Sequence, residues 1–238
     1  MEGNLENLLV QGAGEFGVTL DDTQVGQLMI YKETLKEWNQ KINLTAIEDD
    51  REIIIKHFID SLSIMPYLKD ESKEMVDIGT GAGFPGIPVK IVNGSVQVTL
   101  MDSLEKRVNF LNEVIKLLGL DNILAVHGRA EDYGQNPKFR EKFDISVARA
   151  VANLPVLLEY CLPFVKPGGI FIAMKGSSIE EIEASKKALD TLGGKVEEVN
   201  EITLPQSDIK RNIIIVKKIR QTPTQYPRKA GKPSKNPL

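Results

Sequence analysis

The sequence predicts an α/β fold: a mostly parallel sheet with helices on both faces, preceded by a helical extension and closed by an antiparallel hairpin. Three observations carry this. From Met75 onward short apolar strands alternate with amphipathic helices, the pattern of right-handed β-α-β units. Before residue 70 the apolar side chains recur only at helical spacing. Near the end, two strand patterns are separated by nothing more than a loop around Pro205–Lys210, too short for a helical crossover, so they pair antiparallel. The expected organisation is a helical extension over 1–70, a Rossmann-like domain over 71–219 and a basic tail over 220–238.

In the extension, Asp21 and Asp22 supply N-cap candidates, and Val25, Leu28, Tyr31, Leu35, Trp38 and Ile42 then follow in steps of three, four and seven along one helix face. A second helix starts near Asp50, carries Ile54, Phe58, Leu62 and Met65 on one face, and should end at Pro66. Strands are predicted at Met75–Gly79, Val96–Met101, Ile123–Val126, Phe143–Ala148, Gly169–Met174, about Val196–Leu204 and Asn212–Lys218. Helices fall near 85–92, 104–118, 153–164 and 179–192. The second has Leu104, Val108, Leu111, Ile115 and Leu118 spaced four, three, four and three apart, with Gly119 placed to cap it.

Bulk properties narrow the function classes. A chain of 238 residues, 42% apolar, suits one main core. The start MEGNLENLL lacks the basic and apolar regions of a signal peptide, and no apolar run approaches a membrane span, so a cytoplasmic protein is expected. The single cysteine, Cys161, excludes an intrachain disulfide and a multi-cysteine metal site. No metal is expected. Net charge is −3, yet seven of the 30 Lys/Arg lie after residue 216 with no Asp or Glu among them. A basic end on an acidic body suits a polyanionic partner, because phosphate neutralisation releases counterions.

The stretch GAGFPG, residues 81–86, has the G-x-G-x-x-G spacing of dinucleotide-binding loops. Read backwards to VDIGTGAGFPG, it also fits D-x-G-x-G-x-G through Asp77, Gly79, Gly81 and Gly83, the first motif of S-adenosylmethionine methyltransferases. A carboxylate at Asp77 is poorly placed beside a pyrophosphate but suits the ammonium of a methionyl group, and the glycines let the backbone pass close under a ligand. Asp102 ends the second strand, where an acid accepts from both hydroxyls of an adenosine ribose. After the third strand, Ala130 and Glu131 in GRAED are placed to meet an adenine edge. Five parallel strands followed by an antiparallel hairpin is the class I methyltransferase arrangement, whereas an NAD-binding dehydrogenase would continue with parallel units. The cofactor expected is S-adenosyl-L-methionine.

The run MVDIGTGAGFPGIPVKIV, followed by LMDSLEKRVNFL, GRAED and SVARAVANL, resembles the RsmG/GidB family of bacterial small-subunit (16S) ribosomal RNA guanine-N7 methyltransferases. The likeness extends through WNQKINLTAI and KHFIDSL at one end and YPRKAGKPSKNPL at the other. It implies that Gly79 and Phe84 line the cofactor site, that Ala130 and Glu131 meet its adenosine, and that Arg149 lies beside it. Pro85 fits the first turn of the following helix. The partner implied is small-subunit ribosomal RNA or the small subunit itself, met by a monomer.

Residue chemistry bears on the acceptor atom. Methylation of a pyrimidine carbon uses a cysteine nucleophile, and Cys161 falls inside a predicted helix. Methylation of an exocyclic amine commonly uses N/D-P-P-Y/F after the fourth strand, where this chain has ARAVANL. Guanine N7 loses no proton and needs alignment and charge accommodation, so direct in-line transfer is expected. No catalytic residue is certain; Arg149 and Lys175 are acceptor-side candidates, as are Trp38, Asn39 and Asn43. Candidates for RNA phosphates are Arg129, Lys175, Arg228, Lys229, Lys232 and Lys235. His57 reads as a packed histidine with Asp60 as its partner. A small-molecule methyltransferase and a non-catalytic assembly factor that binds cofactor and RNA stand as alternatives.

Overall fold

The computed structural model describes residues 2–68, 73–176 and 180–238. The expected boundary at 70/71, and the start of the helix placed at 179, lie outside the described residues. Helices α1 (Glu2–Gly14), α2 (Asp22–Ile42), α3 (Asp50–Ile53) and α4 (Asp60–Leu62) precede the sheet. Asp21 caps α2 through a capping box with Gln24, which satisfies two otherwise orphaned N–H groups. Asp49 caps α3, and the backbone runs through a π-helical stretch, Ile54–Ile59, into α4. The helix therefore ends at Leu62, ahead of Pro66, which sits in a 3-10 turn over Met65–Tyr67.

The strands are β1 (Glu74–Ile78), β2 (Gln97–Asp102), β3 (Ile123–His127), β4 (Phe143–Arg149), β5 (Val165–Lys175), β6 (Gly194–Thr203) and β7 (Lys210–Lys218), in the sheet order β3-β2-β1-β4-β5-β7-β6. The first five pair parallel. β7 pairs antiparallel with both β5 and β6, as the short 205–210 loop requires. The crossovers carry α5 (Gly86–Val92), α6 (Glu105–Leu117), α7 (Ala130–Tyr133), α8 (Leu154–Cys161), α9 (Glu180–Ala184) and α10 (Lys186–Leu192). The last two replace the single predicted helix: it breaks at Ser185, fully buried, whose hydroxyl bonds back to the Glu181 carbonyl. β5 begins four residues earlier than expected, and Pro85 stands just before α5 rather than inside its first turn.

Two apolar clusters cover the sheet. On one face α1 to α4 and α6 join Met75, Val98, Leu100 and Ile215 in one continuous core; on the other α8 and α10 pack on Val76, Phe171 and Val216. Leu28, Tyr31, Leu35, Ile54, Phe58 and Leu62, all on the predicted helix stripes, are fully buried in the first cluster. Among the described residues no helix is long and apolar enough to cross a membrane.

The C-terminal segment, expected as a basic tail over 220–238, is docked on the domain. Arg140 donates to the carbonyls of Thr222, Pro223 and Tyr226, and Gln135 to those of Thr224 and Pro227. The Arg228 guanidinium forks onto the fully buried Glu159 of α8, and the segment closes with the short helix α11 (Lys232–Lys235). Three of the seven cations after residue 216 are paired within the fold: Arg228 as above, Arg220 on Asp190, and Lys218, which is wholly buried and bonds the Leu162 carbonyl, Thr222 and Glu141.

Candidate functional site

The glycine loop leaves the end of β1 and turns at the edge of β2, where the N–H groups of Gly79 and Thr80 both donate to the Met101 carbonyl. Gly79, Gly81 and Gly83 all have positive φ, the backbone region in which a Cβ is strained. Asp77 lies beneath this loop. Its Oδ2 accepts from the Thr80 hydroxyl at 2.7 Å and the Gly86 N–H at 2.9 Å, so one carboxylate ties the loop to the start of α5. Burial pushes its pKa up to about 6. Asp77 does not line the cavity described next; its Oδ2 fastens the loop, and its buried Oδ1 has no hydrogen-bond partner among the described residues.

A cavity of about 350 Å³ opens at the C-terminal ends of β1, β2 and β4, the edge where doubly wound sheets bind ligands. Four of the nine residues assigned to cofactor binding lie on its wall: Gly79, Asp102, Ala130 and Glu131. Asp102 is all but buried. Its Oδ2 accepts from Gly81 N–H and its Oδ1 from Leu104 N–H, both at 2.9 Å, with Arg107 at 3.4 Å. The carboxylate is thereby fixed in orientation by backbone on two sides. Glu131 lies in the first turn of α7 and accepts the Gly231 N–H at 2.9 Å. Val151 stands over Gly79 so closely that a Cβ there would come within 2.7 Å of it.

The remaining assigned residues lie elsewhere. Gly81 and Gly83 shape the loop from behind, and Gly83 packs on Ile87 and the Tyr31 hydroxyl. Phe84 faces away from the cavity. Its ring is stacked between Tyr31 at 5.3 Å and His57 at 4.5 Å, with the Arg149 guanidinium 5.1 Å from its centroid, a cation–π distance. An aromatic among apolar helix faces is drawn into the core cluster, here beside His57 and Arg149 of the second cavity described next.

Arg149, the last residue of β4, belongs to a second cavity of about 380 Å³ at the ends of β4 and β5. It donates to Asp60 and to the Lys56 carbonyl at 3.0 Å each and to His57 Nδ1 at 3.2 Å. Asp60 pairs with Arg149 and with Arg211, not with His57 as expected. Because Nδ1 faces a guanidinium donor and Nε2 bonds the Thr45 hydroxyl, His57 is held neutral. Burial first and Arg149 second lower its pKa to about 3. Lys175 lines the same cavity and pairs with Glu181. Ala150, at positive φ, belongs to both walls and joins the two cavities.

Trp38 is part-buried against Phe110 in the core, and Asn39 spends its amide oxygen on the N–H groups of Leu44 and Thr45. Neither they nor Asn43 line the second cavity. Arg129 is exposed on the rim of the first, and Lys229, Lys232 and Lys235 are exposed on the docked C-terminal segment. Cys161 is buried in α8, and burial pushes its thiol pKa up.

Sequence reasoning missed Arg107, Val151, Tyr160, Gly231 and Ser234 on the first wall and Lys56 and Arg211 on the second. Arg107 carried a signal, since it lies one helical turn into the element that follows Asp102. Val151, Lys56, Gly231 and Ser234 lie inside the runs SVARAVANL, KHFIDSL and YPRKAGKPSKNPL, but spacing did not place them on these walls, and Tyr160 and Arg211 carried no signal.

The comparisons with known proteins agree with this architecture. The family model described as "GidB: rRNA small subunit methyltransferase G" matches residues 24–214. A ribosomal RNA small subunit methyltransferase G from Acetivibrio thermocellus is 67% identical over 237 residues, covering 100% of this chain and 98% of the relative. One from Alkaliphilus metalliredigens is 56% identical, covering 97% and 98%. Among solved structures, a SAM dependent methyltransferase from Aquifex aeolicus superposes with TM-score 0.54 at 19% identity, over 73% of this chain and 96% of its own. M. jannaschii TYW2 in complex with AdoMet gives 0.52 at 18% identity, over 65% and 73%. These two structures establish the class I methyltransferase fold, and the family match establishes the lineage: the chain belongs to the GidB family, rRNA small subunit methyltransferase G.

Proposed function

We propose that the chain methylates N7 of a specific guanine in small-subunit (16S) ribosomal RNA, using S-adenosyl-L-methionine, by direct transfer without a covalent enzyme intermediate. The observation that carries this reading is the pair of cavities meeting at Ala150, one walled by the carboxylates of Asp102 and Glu131 and the other by the cations of Arg149, Lys56, Lys175 and Arg211. Family membership supports the methyltransferase assignment and the RNA substrate.

The first cavity fits the cofactor. Asp102 offers a fixed carboxylate to a ribose diol, Glu131 an acceptor to an exocyclic amine, and Gly79 the bare backbone that close approach needs. S-adenosylmethionine supplies an electrophilic methyl group on a sulfonium. In the second cavity Lys56 also pairs with Glu52, so four cations meet three carboxylates: Glu52, Asp60 and Glu181. The surplus positive charge suits an entering phosphate. Neither wall contains a cysteine, so a thiol adduct has no place in the step. The acceptor nitrogen brings its own lone pair, and the protein's part is alignment and exclusion of water. A monomer in the cytoplasm is the setting of this proposal.

The test is transfer of labelled methyl to unmethylated small subunits and to their naked RNA, with the nucleoside identified by mass spectrometry. Labelled 7-methylguanosine, retained by Cys161→Ala, is expected. Label on another atom, or loss of transfer in a folded, cofactor-binding Cys161→Ala protein, would overturn the chemistry. No label in RNA despite cofactor binding would point to a small-molecule acceptor.

A further inference from the structure

The C-terminal segment has two faces with different chemistry. Its inner face belongs to the first cavity: Gly231 and Ser234 are on the wall, and the Gly231 N–H holds one oxygen of Glu131. That leaves Glu131 Oε2 as the oxygen available to a ligand. Pro233 between them is buried, so α11 is seated and not merely adjacent. The anchor lies three residues upstream. Arg228 donates to both oxygens of Glu159, at 2.8 Å and 2.6 Å, and Glu159 also accepts the Arg228 N–H. A bidentate guanidinium on a buried carboxylate fixes direction as well as position.

The outer face is cationic. Lys229, Lys232 and Lys235 are all exposed, and no carboxylate pairs with them among the described residues. Arg129, exposed as the N-cap of α7, stands on the rim of the same cavity. A segment that walls the cofactor cavity on one side and offers unpaired lysines on the other cannot serve the two ligands independently. A phosphate held on the lysines favours the seated position that walls the cavity, and a cofactor in the cavity favours it likewise.

We infer that the C-terminal segment is a two-sided clamp, anchored by Arg228 on Glu159, that closes the cofactor cavity and takes RNA phosphates on its outer lysines, so that RNA binding tightens cofactor binding. Arg228 is a positioning residue acting through Gly231 on Glu131. The inference rests on the proposed function for the identity of both ligands.

The experiment is calorimetric titration of the full chain with S-adenosylmethionine, alone and with saturating unmethylated small-subunit RNA. Wild type is expected to bind the cofactor at least about fivefold more tightly with RNA present, and Lys229→Gln/Lys232→Gln/Lys235→Gln to lose that gain. Ser234→Trp puts an indole into the cavity wall from an exposed position, which spares the core. It should weaken RNA-free cofactor binding about tenfold or more with an unchanged melting temperature. Arg228→Ala/Glu159→Ala, which removes both charges together, should weaken cofactor binding likewise, with a lowered melting temperature because the Arg228 N–H also loses its acceptor. Cofactor affinity unchanged in Ser234→Trp would show that the segment does not close the cavity. Equal wild-type affinity with and without RNA would overturn the coupling. Failure of wild type to bind the cofactor at all would instead strike the proposed function, so the two failures are distinct.

Discussion

The two cavities that meet at Ala150 are built on opposite principles. In the first, the carboxylate of Asp102 is held by the backbone N–H groups of Gly81 and Leu104, and Gly79 and Asp102 directly follow the paired Ile78 and Met101 of neighbouring parallel strands. In the second, Arg149 gathers Lys56, His57 and Asp60 from the helical extension, while Arg211 arrives from β7, 151 residues after Asp60. Backbone holds one site and side-chain charge holds the other. Backbone-held sites survive sequence drift around them, whereas a charge network fails as a unit when one member is lost.

The largest effect should therefore come from the second cavity. Arg149→Ala leaves Asp60, almost wholly buried, with Arg211 alone at 3.3 Å, and stranding a buried charge typically costs about 3 kcal/mol. Denaturant unfolding should show that loss together with loss of methyl transfer. A stability change below about 1 kcal/mol would mean that the network is not a structural unit.

Asp102→Asn perturbs the first cavity less. Asparagine retains the shape but offers a single acceptor oxygen, so either Gly81 or Leu104 loses its partner and the ribose loses a charged acceptor. Charge-assisted bonds of this kind are worth about 2 kcal/mol, roughly thirtyfold in affinity. The expected result is that loss in cofactor binding with the fold intact; an unchanged affinity would remove Asp102 from the site.

The same contrast explains what the sequence revealed. The strand order's parallel part and its antiparallel end were legible, because alternating element types and a short loop leave few topologies. Gly79, Asp102, Ala130 and Glu131 were legible as wall residues because each sits within four residues of a strand's C-terminal end. The packing of Phe84 on Tyr31 was not legible, because chain adjacency to the loop says nothing about which side a ring takes. Asp60 was matched to His57 by proximity in sequence, but its real partners are the cations brought in by β4 and β7. The docking of the C-terminal segment was not legible, because its cations were counted without the buried Glu159 that receives Arg228 and without Arg140 and Gln135, whose side chains bond its carbonyls. Long-range pairing of charge leaves no periodicity to read.

Acidity sharpens the comparison, since each region buries one group that resists its charged form. His57 stays neutral down to about pH 3 when folded but takes up a proton near 6.5 when unfolded. The unfolded chain binds more protons between those values, so this contribution is lost as pH falls, about 1.4 kcal/mol by pH 5.5. Asp77 acts the other way. Its folded pKa of about 6 lies above the unfolded value of 3.8, so the folded chain binds more protons and stability is gained as pH falls from 6 toward 3.8. His57→Gln should leave only the second slope and become relatively more stable than wild type between pH 6.5 and 4 in parallel urea titrations. A pH dependence identical to wild type would place His57 in water rather than against Arg149.

The smallest effect separates backbone cost from ligand cost within the first region. Gly81 has φ +62, and nothing lies within 4 Å of where its Cβ would be. Gly81→Ala therefore pays only the left-handed backbone term, about 1 kcal/mol. Its N–H still reaches Asp102, so cofactor affinity should stay within about twofold of wild type while the melting temperature drops by a few degrees. Gly79 has a similar φ of +68 but sits under Val151, so Gly79→Ala adds a displaced side chain on the cavity wall and should lose affinity as well as stability. If both alanines cost affinity equally, the loop moves as one body with the ligand; if only Gly79→Ala does, the loop is a rigid platform whose single point of close approach is Gly79.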